Sequence, residues 1–168
     1  KWLHPDKLTV KRRLEPGNHE RRSFFAFDLS SVNFDEVDAV RLRLNQVPSG
    51  IGYATRLPVI SRISVYGMTN PAKSDWVPGT TWEEGPAPED GVKIGEIEIP
   101  RSEQRGSRIL QSEDLLNFLR ERRSGAVTFI LEREITDLKG GAPSLVHAFA
   151  SDLHPEASGP TLEFVLKR

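Results

Sequence analysis

Arg41 and Arg43 stand two apart in Val40-Arg41-Leu42-Arg43-Leu44, so an extended chain sends both guanidinium groups to one side and the three apolar residues to the other. Lys11 and Arg13 alternate in the same way in an earlier segment, and Arg62 alternates against Ile63 and Val65 in a third. Rows of cations at this spacing suit the carboxylates of an acidic polymer, and Arg is favoured because its planar fork matches a carboxylate. The same rows also read as ordinary solvated strand faces, paired with neighbouring Asp and Glu in ion pairs that contribute little.

A sugar ring also needs an aromatic surface for its apolar side. Trp2 lies beside His4 and Lys7, and Tyr53 lies in a glycine-rich loop beside Arg56, so each joins a ring to a cation. Trp76 and Trp82 fall in a stretch with prolines at 71, 78, 86 and 88, which reads as a crossing loop pinned to the body of the protein by its two indoles. Core packing is expected of both. His147 alternates with Phe149 and reads as a wall residue or a groove contact.

Catalysis would need convergent acid and base groups, such as a Tyr or His base with an Arg to neutralise a uronic acid. His4, His19, His147, His154, Tyr53 and Tyr66 are scattered without motif spacing, and no Gly-x-Ser-x-Gly elbow, His-Glu-x-x-His pair or phosphate loop is present. No enzyme and no required cofactor are expected. Calcium is the metal such a fold would hold, with Asp35, Glu36, Asp38, Asp137 and Asp152 in or beside expected loops, none at ligand spacing.

Stepping along the chain, period-two alternation predicts strands over 7–14, 21–32, 37–44, 59–66, 92–99, 126–133, 145–151 and 161–167. Phe25, Phe27, Leu29, Val40, Leu42, Leu44, Ile94, Ile97 and Ile99 are candidate core, and the step from Ile94 to Ile97 predicts a bulge near Gly95. Turns are expected at Glu15-Pro16-Gly17-Asn18 and Gly140-Gly141-Ala142-Pro143. One helix is predicted over 112–123: Ser112 caps it, Glu113 and Asp114 complement its start, Leu115, Leu116, Phe118 and Leu119 form its stripe, and Arg120, Arg122 and Arg123 complement its end. About eight or nine short strands without strand–helix alternation point to an antiparallel two-sheet β-sandwich of jelly-roll type.

The 168 residues suit one domain. With 23 Lys and Arg against 24 Asp and Glu the net charge is -1, which excludes a bulk electrostatic argument for nucleic acid or membrane binding. There is no cysteine, no apolar run of membrane-spanning length, and the first residues are not a signal peptide.

Several segments resemble one known family. Arg22-Ser23-Phe24-Phe25-Ala26-Phe27-Asp28-Leu29-Ser30, Ala39-Val40-Arg41-Leu42-Arg43-Leu44, and Ile63-Ser64-Val65-Tyr66-Gly67 with Trp76, Thr80-Thr81-Trp82 and Pro86 are similar, in order, to motifs of the DNRLRE-type domain, grouped with carbohydrate-binding module family 96. Phe149-Ala150-Ser151 and Pro160-Thr161-Leu162 resemble its closing motifs. The family's upstream Asp-containing strand is not in this chain, and Ser151-Asp152-Leu153 replaces its Ser-Arg-Glu, so contacts of that Arg and Glu do not carry over. The resemblance implies a non-catalytic, extracellular, polysaccharide-binding module of a larger secreted or cell-surface protein, with alginate the best-known ligand. A monomer is expected. A structural or adhesive spacer and, less favoured by the residues, a small polysaccharide lyase are the alternatives.

Overall fold

The structure, a computed structural model, describes residues 4–12, 20–51, 58–122, 125–134 and 146–168. Among them are nine strands and one α-helix: β1 (Lys7–Val10), β2 (Ser23–Asp28), β3 (Val37–Val47), β4 (Ile60–Met68), β5 (Gly91–Pro100), β6 (Gly106–Leu110), α1 (Glu113–Glu121), β7 (Ala126–Arg133), β8 (His147–Ala150) and β9 (Thr161–Leu166). The expected turns at 15–18 and 140–143 lie outside the described residues. No helix among the described residues is long and apolar enough to cross a membrane.

The apolar steps of each alternating segment turn inward. Phe25, Val40, Leu42, Leu44, Ile63, Val65, Ile94, Ile97, Ile99, Phe129 and Leu131 share one buried cluster between two sheets, and the half-buried Phe27 packs against it. Burying such side chains stabilises by roughly 1.5–3 kcal/mol each, which is what holds the layers together. Every strand pairing is antiparallel, and the sheets run β1-β8-β3-β6 and β2-β7-β4-β5. That is the strand order of a jelly roll. β8 opposes Gln46 and Val47 of β3 while β9 opposes Val37 to Arg43, so the two continue one edge of β3 and residues 151–160 are an excursion between them.

The alternation did not predict β6. Its register against β3 turns Arg108 inward and Ile109, 49 % exposed, outward, so the apolar step falls on the wet side. The expected bulge is present: Val65 pairs with Gly95 and Tyr66 with Lys93, which leaves Ile94 unmatched. Gly95 takes φ +156°, and a Cβ there would come within 2.5 Å of Leu110 Cδ1.

α1 spans the end of the sandwich near Val37 and Met68, with Leu115, Phe118 and Leu119 buried. Ser112 Oγ accepts the Leu115 N–H at 3.0 Å, satisfying a first-turn donor. Gly67 makes room for the helix, because a Cβ there would lie 2.3 Å from the Phe118 ring. The basic end does more than answer the dipole: Arg120 donates to Val37 O at 3.0 Å and Arg122 to Met68 O at 3.2 Å, tying the helix to both sheets.

Candidate functional site

The long strand β3 sets out the first candidate surface. Its outward steps are Ala39, Arg41, Arg43 and Asn45, and cross-strand pairing adds Ser107 and Ile109 from β6 with Thr161, Glu163 and Val165 from β9. Arg41, Ser107, Ile109, Thr161 and Val165 are exposed. Arg41 donates to Gln111 Oε1 at 2.8 Å; Arg43 donates to Glu163 Oε1 at 2.5 Å and to Ser107 Oγ at 2.7 Å. The Arg43 hydrogen bond holds the Glu163 carboxyl below the usual carboxylate range. The backbone positions of the two arginines are about 7 Å apart along the strand, and the partners Gln111, Ser107 and Glu163 lie at or near the surface.

The five cations read together from the sequence do not form one surface. Arg62 is on β4, on the outer face of the other sheet, and is held by Glu98 at 3.1 Å and Glu96 at 3.4 Å. Lys11 bridges Arg21 just past the end of β1. The register across β8 puts it about 20 Å farther along the sheet than Arg43. Trp2, Arg13 and Tyr53, with Arg56, His19 and Asp137, lie outside the described residues.

The outer face of the four-stranded sheet is roofed. The segment between β4 and β5 crosses it, placing Trp76 edge-on to Phe24 at 4.7 Å with its Nε1 donating to Thr128 Oγ1 at 3.0 Å. Ile130, on that outer side of β7, is thereby fully buried. Trp76 packs as expected, but Trp82 does not: it is 43 % exposed, with the Arg22 guanidinium 4.0 Å from its ring centroid and donating to the carbonyls of Trp82 and Gly85.

A third feature lies inside the sandwich, at the end away from α1. His147 is buried, 4 % exposed, facing inward beside Phe149, where it forms part of the wall of a cavity. Burial, with the charges of Arg133 and Arg108, pushes its pKa down to about 4. Arg133 is buried too, its pKa pushed down to about 10 by burial, and donates to Arg12 O at 2.6 Å. Arg108 donates to Gln46 Oε1 at 2.9 Å and Glu103 Oε2 at 2.5 Å, while its Nη2, like His147 Nδ1, is buried without a hydrogen-bond partner. A cavity of about 160 Å³ opens here, lined by Gln46, Ser49, Pro100, Glu103 and His147 among others.

No family model and no curated protein matches the chain. The likeness to the DNRLRE-type domain therefore rests on its motifs. No three His, Asp or Glu side chains among the described residues gather as a metal cage requires. Of the acids considered for calcium, Asp35 accepts from Lys167 through its backbone carbonyl and Glu36 accepts from Asn33.

The polar end was half legible. In Val127, Phe129, Leu131 and Arg133 a charge occupies an inward step, a signal of a buried cation. Arg108 gave no such signal, since its strand was not recognisable, and the partner of Trp82 is Arg22, 60 residues away in sequence.

Proposed function

We propose that the chain is a non-catalytic polysaccharide-binding module of a secreted multidomain protein, which takes an acidic glycan such as alginate along the outer face of the β1-β8-β3-β6 sheet. The observation that carries this reading is the Arg41–Arg43 row, two guanidinium groups on one exposed strand face, bordered by Asn45 and by the exposed side chains of Ile109 and Val165. The fork of each Arg pairs a uronate carboxylate, and the flanking aliphatic groups meet the apolar side of the sugar ring. Held at a solvated surface, these contacts weaken as salt rises.

His147 is buried and neutral, and His154 uses Nδ1 to accept the N–H groups of Glu156 and Ala157. Affinity electrophoresis against alginate, pectin, carrageenan and neutral glucans tests the proposal: retardation by the acidic polymers, relieved by salt, is expected, and no retardation in any gel overturns it.

A second reading, a structural or adhesive spacer, draws on the same face, because Ile109 is 49 % and Val165 36 % exposed. It predicts no glycan response.

A further inference from the structure

We propose that the cavity at the His147 end of the sandwich is a binding site for a carboxylate carried on a group about the size of one sugar ring. The cavity is large enough: about 160 Å³ is the room of roughly five waters at about 30 Å³ each. Its wall is chemically unfinished. His147, in that wall, keeps Nδ1 buried without a partner. Behind the wall, Arg108, bonded to the lining residues Gln46 and Glu103, keeps Nη2 buried without one, and leaving such groups unpaired costs about 1–3 kcal/mol each, more for a charged one.

The sign of the missing partner follows from the charges around it. Arg133 from β7 and Arg108 from β6 both act on the imidazole, and both disfavour its protonation. Arg101 and Glu103 face the cavity from the turn between β5 and β6. Glu103 is the one acid among the described residues that line this cavity; half its side chain is in solvent, and it is engaged by Arg108 Nη1. Gln46 is spent as well, accepting from Arg108 and donating to Glu103 O at 3.0 Å. A neutral hydroxyl can accept from the imidazole N–H but brings no charge; a carboxylate accepts from it and also answers the buried arginine charge.

This site is separate from the outer face, and only the choice of a sugar acid as occupant rests on the glycan reading. The test is a titration of the ¹⁵N-histidine-labelled full chain with sodium glucuronate, sodium acetate, glucose and sodium chloride at matched ionic strength. Saturable shifts of the His147 ring nitrogens with glucuronate are expected, with its apparent pKa moving up from about 4 while His4 and His154 stay unmoved. No response to either carboxylate, or the same response to chloride, overturns the site. Glucuronate binding at least tenfold tighter than acetate supports a sugar acid; equal binding overturns that assignment and leaves a general carboxylate site. Arg108→Gln should weaken the glucuronate response at least tenfold, and if that variant does not fold, the wild-type titration still decides. The Arg41→Ala/Arg43→Ala variant should keep the response, so failure of the outer-face reading registers separately.

Discussion

The two outer faces of the sandwich carry similar numbers of arginines and use them in opposite ways. On the four-stranded sheet, Arg22 is stacked on Trp82 and bonded to two loop carbonyls, and Arg62 sits between Glu96 and Glu98, while Glu132 of β7 is paired at 2.5 Å with Arg12 from the segment after β1. Lys93 is likewise divided between Glu96 and Glu134. These cations hold a roof and a surface network in place. On the five-stranded sheet, Arg41 and Arg43 stand on an exposed face with two neutral partners, Gln111 and Ser107, and a single acidic one, Glu163, between them. Charge composition is therefore a poor guide to a binding face, and what matters is how many acceptors have already claimed each guanidinium.

The largest expected effect concerns the interior that both faces share. Because the folded chain holds His147 at about 4, against about 6.5 when unfolded, the unfolded state takes up a proton that the folded state refuses in that window. Stability is complete above about pH 6.5 and falls as pH drops toward 4. The loss is about 3 kcal/mol at about 1.4 kcal/mol per unit, read from urea midpoints across pH, and His147→Asn should flatten the slope. Next is the roof. Trp76→Ala removes the Phe24 contact and the Thr128 hydrogen bond and should cost about 2–3 kcal/mol, measured by thermal unfolding, without changing glycan affinity.

The bare face should behave the other way round. Arg41→Ala with Arg43→Ala should lower alginate affinity about tenfold or more while moving stability by less than about 1 kcal/mol, the range for exposed ion pairs; Arg62→Ala should leave affinity unchanged. Equal losses from both variants in gel retardation would erase the distinction between the faces. The smallest effect sharpens it: Glu163→Gln releases Arg43 from its present partner and should raise alginate affinity a few-fold at low salt.

Much of this arrangement is legible in the chain because strands follow a period of two. Phe25, Leu42, Leu44, Ile97 and Ile99 announced the core, and Ile94 with Ile97 announced the bulge. β6 was hidden because its apolar Ile109 points to solvent and its inward Arg108 is polar. Local alternation states which side of a strand a residue takes but not which sheet the strand joins. That is why Arg62 was grouped with Arg41 and Arg43 although β4 belongs to the opposite layer. The alternation of His147 with Phe149 is visible in the chain, yet its lowered pKa depends on burial and on the charges of Arg133 and Arg108, which lie on other strands.

The most direct measurement is a map of backbone amide shifts during titration with alginate oligosaccharides. Perturbations concentrated on Arg41 to Asn45, Ser107 to Ile109 and Thr161 to Val165, fading as salt is added, are the expected result. Perturbations centred on β4 and β5 around Arg62, or none at all, would contradict it.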